Sequence, residues 1–295
     1  MVRFYKRLLF PSLFVILSVL LISALTISCK SKPTPKAGPV PSIIFERIEA
    51  DAPVNLKLFF FLNIENPFPS AGQVKIDSWQ VEINGKKASS GFTLGEHQSL
   101  SFMLRPGSNS FPLELNMDID VLTAQGLAPA DDYNVNLIAK LNFTFETAPP
   151  LELEVSGIAV FPGVQTPIFS ITDIAILKAE LINTRFRVSI KINNPNPFPV
   201  ELSAFGYELY GNGRLWADGS EKNIIRVEGR TTLKGDLYLI MNFINMKRNL
   251  LDQIINLIDV NYRFTGEAQV STEVEYLPKF TTSFNLSGYS VVLEN

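Results

Sequence analysis

The tetrapeptide Asn-Pro-Phe-Pro occurs twice, at Asn66-Pro67-Phe68-Pro69 and at Asn196-Pro197-Phe198-Pro199, 130 positions apart. Each copy ends an alternating, strand-like run and opens a turn. Proline lacks the N–H that a sheet ladder requires and biases the residue before it towards extended geometry, so a Pro-Phe-Pro bracket stops a strand. One such bracket is ordinary punctuation. Two with matching flanks indicate an internally duplicated chain.

The flanks support the duplication. At the same spacing Leu56–Asn66 lies over Phe186–Asn196, and in the second run Phe186, Val188, Ile190 and Ile192 alternate with Arg185, Arg187, Ser189 and Lys191. That is the period of a half-buried strand. In the first run Leu58–Leu62 is apolar throughout, which predicts that its second face is also covered, by the other half of the chain. Downstream, Ile83-Asn84-Gly85 answers Gly211-Asn212-Gly213 at a spacing of 128, and Gly91 answers Gly219. Asn-Gly between β-rich runs predicts a tight hairpin, because both residues tolerate positive φ. Further strands are expected at Gln98–Leu104, Ile224–Val227, Asn134–Phe145, Leu151–Val155, Asn261–Val270, Thr272–Tyr276 and Thr282–Leu286. Helical spacing of Phe243, Met246, Leu250, Ile254 and Leu257 predicts a helix over Asn242–Ile258, with a weaker one over Asp118–Gln125.

Short strands at regular intervals with turn signals between them predict a mainly β chain. The expected architecture is two tandem antiparallel β-sandwich domains, immunoglobulin- or fibronectin-like, each with one inserted α-helix. The expected boundaries are 42–162 and 163–295, with a short hinge over Gly157–Pro167 that keeps the two in contact.

The N-terminus reads as a targeting segment. Arg3, Lys6 and Arg7 precede a run from Leu8 to Ile27 that is almost wholly apolar. Residues 1–28 are then a signal, and 29–41 a proline-rich tether. Ser28 stands before Cys29, the one cysteine in the chain, and this edge resembles a bacterial lipoprotein signal in which Cys29 is the lipidated residue. The match is relaxed, since Thr26 occupies the position where such signals usually carry leucine. A conventional cleaved signal and an uncleaved transmembrane anchor are the other readings, and all three export the body of the chain. Setting aside the three basic residues of the first 28 leaves 23 basic against 29 acidic side chains, a net charge of −6. An acidic body without a basic patch argues against nucleic acid as a partner.

The strand ending in Asn193-Asn194-Pro195-Asn196-Pro197-Phe198-Pro199, followed by the Tyr207–Gly213 hairpin, resembles the late embryogenesis abundant type 2 family, whose members carry the water-stress and hypersensitive-response (WHy) domain. The first half is a thinner match that keeps Asn63, Asn66, Pro67, Phe68 and Pro69. The resemblance implies a folded β-sandwich with a helix, an association with desiccation and related stresses, and no catalytic activity or cofactor. Together with the N-terminal signal, the expectation for this chain is an exported, membrane-attached protein that protects or binds membranes and proteins. A structural or adhesive envelope protein with a protein or lipid partner is the alternative.

The residue inventory agrees with a non-enzyme. His97 is the one histidine and sits in the polar stretch Gly95–Gln98, so a nucleophile–histidine–acid triad would have to use it, and no Gly-x-Ser-x-Gly elbow is present. One histidine and one cysteine give no zinc set of the usual kind. The pairs Asp118/Asp120, Asp131/Asp132 and Glu152/Glu154 suit a helix start, a loop and a solvent-facing strand. The Asn-Pro-Phe-Pro loops read first as turn chemistry, with the asparagines bonding local backbone and Phe68 and Phe198 plugging the sandwich end, and second as a recognition edge.

Overall fold

A computed structural model describes residues 38–95, 100–127, 129–146, 148–178, 184–241 and 259–294. Cys29, His97 and the expected helix over 242–258 lie outside the described residues. The chain is mainly β and its sheets are almost entirely antiparallel.

The first half begins with a long hairpin, β1 (Val40–Ala52) and β2 (Asn55–Asn66). β7 (Gly107–Asp118) pairs with β2, and β5 (Phe92–Leu94) pairs with β7. A second sheet is built on β3 (Gly72–Ile83), which pairs with β4 (Lys86–Lys87), β6 (Ser101–Leu104) and β8 (Asp132–Phe145), and β9 (Leu151–Pro162) borders β8. Both sheets supply alternate residues to one buried cluster. β2 contributes Leu58, Phe60, Leu62 and Ile64, while β8 contributes Val135, Leu137, Leu141 and Phe143. Burying a side chain such as Phe60 contributes about 1.5–3 kcal/mol, so the period-two pattern fixes the register strongly. Helix α1 (Ile119–Ala124) follows β7 directly, and the Asp118 carboxylate caps it by accepting the Val121 N–H at 3.0 Å.

The second half repeats this pairing. β10 (Ile168–Lys178) and β11 (Thr184–Asn193) form the opening hairpin, and β15 (Thr232–Met241) lies beside β11. β12 (Val200–Gly211) pairs with β13 (Arg214–Glu221), β14 (Ile225–Val227) and β16 (Asp259–Ser271), and β17 (Lys279–Glu294) closes the set on β16. The ladders β3–β8 and β12–β16 even share a one-residue bulge, near Asp77 in one and between Ser203 and Gly206 in the other. One connection differs. β10 and β17 pair in parallel through Ile174↔Val292, Ala175↔Leu293 and Ile176↔Glu294, whereas their counterparts β1 and β9 pack side by side without a ladder.

The Asn-Gly turns are as expected. Asn84 (φ 49) and Gly85 (φ 75) match Asn212 (φ 49) and Gly213 (φ 78), both residues left-handed as a two-residue hairpin of the primed type demands. Each asparagine is also stitched to the next strand. Asn84 exchanges two bonds with the backbone of Asn134, and Asn212 does the same with Asn261.

Four expectations are corrected. Thr272–Tyr276 is not a strand but the connection between β16 and β17, because the Thr272 hydroxyl donates to the Leu277 carbonyl at 2.6 Å and accepts the Val274 N–H, closing a local turn. The hinge is shorter than Gly157–Pro167, since β9 runs on to Pro162, whose position at the end of the ladder opposite Asp132 needs no donor. Gly91 and Gly219 are not equivalent: Gly91 has φ 88 ahead of β5, whereas Gly219 lies within β13 against the Tyr207 ring. The outward residues Phe59 and Phe61 are half-buried, and for Phe59 the cover comes from its own sheet, with the Arg47 guanidinium 3.9 Å above its ring.

Candidate functional site

The motif loops join β2 to β3 and β11 to β12, at the same end of the two hairpins. In the first loop Asn66 is 2% exposed. Its Nδ2 donates to the carbonyls of Ser70 (3.1 Å) and Arg105 (3.2 Å), and its Oδ1 accepts the Phe68 N–H at 3.1 Å. In the second loop Asn194, 0% exposed, does the same. Its Nδ2 donates to the carbonyls of Phe198 (2.8 Å), Val227 (3.1 Å) and Glu228 (3.2 Å), and its Oδ1 accepts the Asn196 N–H at 3.0 Å. Both amides bind backbone four residues on, backbone two residues on, and the far end of the short strand laid on β3 or β12.

The structural partner of Asn66 is therefore Asn194, not Asn196. The spacing of 128 set by the hairpins already holds at the motif, and six residues separate Asn66 from Gly72 as they separate Asn194 from Val200. The two identical tetrapeptides are displaced by two residues in space. Phe68 stands where Asn196 stands, and Ser70 where Phe198 does.

The displacement gives the loops different work. Phe68 is half-buried and meets Phe145 edge-on at 4.7 Å, with Pro67 and Pro69 exposed. Phe198 is buried in the core of the second half, Pro195 and Pro199 are half-exposed, and Pro197 is exposed. Asn63 is half-buried on the outward face of β2, and Asn193 accepts the Thr232 hydroxyl at 3.0 Å. Asn196, also 0% exposed, takes on a task absent from the first loop. Its Oδ1 accepts the Gln165 N–H at 2.7 Å and its Nδ2 donates to the Gln165 carbonyl at 2.8 Å, so one side chain holds the connection between the halves as a strand would.

Other groups secure the same junction. The Tyr276 hydroxyl donates to the Pro162 carbonyl at 2.6 Å while its ring meets Phe161 edge-on at 5.9 Å. The Gly163 N–H donates to the Asp131 carbonyl at 2.6 Å, and the Asp131 carboxylate pairs with Arg230 across the halves. A Cβ at Gly163 would fall 2.1 Å from the Ala130 carbonyl oxygen, so only glycine fits. Burial, with a smaller contribution from the neighbouring Tyr133, pushes the Tyr276 hydroxyl above its ordinary range. Beside the junction lies a cleft of about 740 Å³ lined by Phe45, Glu46, Phe161, Phe198, Glu275 and Tyr276.

Asparagine amides saturated by backbone carbonyls, a proline bracket and an Asn-Gly hairpin, all within β11–β16, define a structural signature. Residues 189–276 match the late embryogenesis abundant protein family. The matched segment runs from the middle of β11 to Tyr276, and so takes in Asn194, Asn196 and the Asn212-Gly213 hairpin. No curated protein matches the chain. Among solved structures, a protein from Archaeoglobus fulgidus is 17% identical with a TM-score of 0.26, over 42% of this chain and 97% of that one. Red sea bream transglutaminase is 12% identical (TM-score 0.22), and the chain covers 31% of it. A Bacteroides uniformis beta-glucuronidase is 9% identical (TM-score 0.22), with 26% of it covered. The chain thus spans about a third of the transglutaminase and about a quarter of the glucuronidase, and all three scores are too low to lend it a fold or an activity.

Of the residues singled out in sequence, the structure brings Asn194, Asn196 and Phe198 together at the junction and leaves Asn66 and Phe68 as its simpler counterpart. Gln165 and Tyr276 carry the junction and were not singled out, while Asp131, read from sequence only as a loop carboxylate, also serves it. The Asn134 and Asn261 partners of the hairpins stand third in β8 and β16, at nearly the hairpin spacing.

Proposed function

We propose that this chain is a non-enzymatic, exported member of the late embryogenesis abundant type 2 class, built as two tandem β-sandwich units over 42–162 and 163–295 and attached to a membrane through lipidated Cys29. Its role on this reading is to persist as a folded surface that shields membranes and proteins when water activity falls or the envelope is stressed. The observation that carries the reading is the family match over residues 189–276. The site supports it, because the polar groups of the motif loops are spent on backbone and leave nothing to react. The repeated pairing of the two halves supports the tandem division.

Deleting the chain from its host should lower survival through drying and osmotic shock. Unchanged survival under both would remove the stress role. Mass spectrometry of the mature N-terminus tests the attachment: a diacylglyceryl group on Cys29 is expected, and an intact Met1 would replace the lipid anchor with a spanning one.

A further inference from the structure

The duplicated framework lets the outward faces of the two opening sheets be compared position by position. On β1–β2–β7 the register places Ile44, Phe61 and Pro112 in one row and Arg47, Phe59 and Glu114 in the next. Ile44 is 53% exposed and both phenylalanines are half-exposed. Around them stand four carboxylates, Glu46, Glu49, Glu65 and Glu114, against two bases, Arg47 and Lys57, and Arg47 is already bonded to Glu46 (2.7 Å) and Glu49 (3.0 Å). A cleft of about 530 Å³ at the Glu49 end adds Asp51 and Asp118.

The matching face on β10–β11–β15 has the opposite sign. Here Arg185, Arg187, Lys191 and Lys234 outnumber Asp173 and Asp236. Tyr238 opposite Arg187 and Ile240 opposite Arg185 are 66% and 59% exposed. The positions of Phe59 and Phe61 are taken by Arg187 and Ser189, and that of Glu114 by Tyr238. In a chain with a net charge of −3, a face carrying twice as many bases as acids is a local exception.

We propose that the outer face of β1–β2–β7 in one copy docks on the outer face of β10–β11–β15 in a second copy, giving a head-to-tail assembly of this chain. The two faces are opposite in charge, each carries exposed apolar residues, and they belong to different halves, so the contact is heterologous and does not close on itself at two copies. This inference does not depend on the stress role.

The test uses the full chain in detergent micelles, expressed with two different tags. Wild-type copies should co-purify and sediment as a concentration-dependent oligomer. Raising salt from 0.1 M to 1 M shortens the screening length from about 10 Å to about 3 Å and should dissociate it. K191E/K234E reverses one face and E49K/E65K the other, and each variant alone should lose self-association at least tenfold with its circular dichroism spectrum and melting temperature retained. Mixed one to one, the two variants should pair again, since each keeps the face that the other lacks. A monomeric wild type, self-association unchanged in either variant, or a mixture that stays monomeric would each overturn the proposal. So would a monomeric wild type whose binding to phosphatidylglycerol vesicles is lost in K191E/K234E, which would assign the basic face to a lipid surface.

Discussion

Two loops with the same four letters do different jobs. In the first, Asn66 ties the end of β2 to the strand laid across β3, and Phe68 leans on Phe145 at the rim. In the second, Asn194 does the tying, Phe198 goes into the core two residues later, and Asn196 is released to grip Gln165. The letters are shared but the register is set by where the amide finds its carbonyls, and that places Asn66 on Asn194. A motif repeated in sequence marks kinship; a hydrogen-bond pattern repeated in space marks equivalence.

This comparison breaks most visibly at the aromatic positions. Phe198→Ala removes a buried ring and should cost about 3–5 kcal/mol in denaturant unfolding, whereas Phe68→Ala at the half-exposed rim should cost under about 2 kcal/mol. Equal losses would restore the tetrapeptide register. Next come the asparagines. Asn194→Ala strands three carbonyls, those of Phe198 and Val227 buried, and should cost about 3 kcal/mol, with Asn66→Ala close behind at about 2 kcal/mol. Asn196→Ala should also loosen the junction, exposing the Gly163–Pro167 connection to limited proteolysis, while Asn66→Ala should not.

The junction also has a pH signature. The buried Tyr276 phenol has its pKa raised above the ordinary 10.0, so the fold favours its protonated form. That contribution is complete below pH 10 and is lost as pH rises through the folded value, so stability should fall in strong alkali. Tyr276→Phe should lose about 1 kcal/mol at neutral pH with the bond to Pro162, and its stability should then decline less steeply above pH 10. An identical alkaline slope in wild type and variant would remove Tyr276 from the account. The smallest effect belongs to the bulges. Ala204 has φ 50, which a residue with a Cβ rarely adopts, and Asp77 at the matching bulge does not share that conformation. Ala204→Gly should therefore stabilise by about 0.5–1 kcal/mol, and Asp77→Gly should destabilise by a similar amount.

Much of the fold is legible in the chain because its signals are local. Alternation in Phe186–Ile192, the Asn-Gly pairs and the Asp118 cap each depend on neighbours a few residues away. What escapes is set at a distance. The carbonyls of Arg105 and Val227 that fix the motif register lie 39 and 33 residues from the asparagines they bind. Thr272–Tyr276 has the composition of a strand and is turned by one hydroxyl. Phe161-Pro162-Gly163 has the look of an interruption, yet a proline at the last rung of a ladder needs no donor, so β9 ends there rather than earlier. The signature of Asn196 is invisible in sequence because its partner is the backbone of Gln165, which any residue except proline would present.

The contrast between β10–β17 and β1–β9 has a mechanical meaning. A pull on the two ends of the second half, at the start of β10 and the finish of β17, draws parallel strands past each other and loads their ladder in shear, so its bonds must yield together. The same pull on the first half slides β1 along β9 with no ladder between them. With the connection clamped at Gln165, tension passes through the joint instead of being taken up there. The half nearer the N-terminus then acts as the fuse, and its partner as the strut.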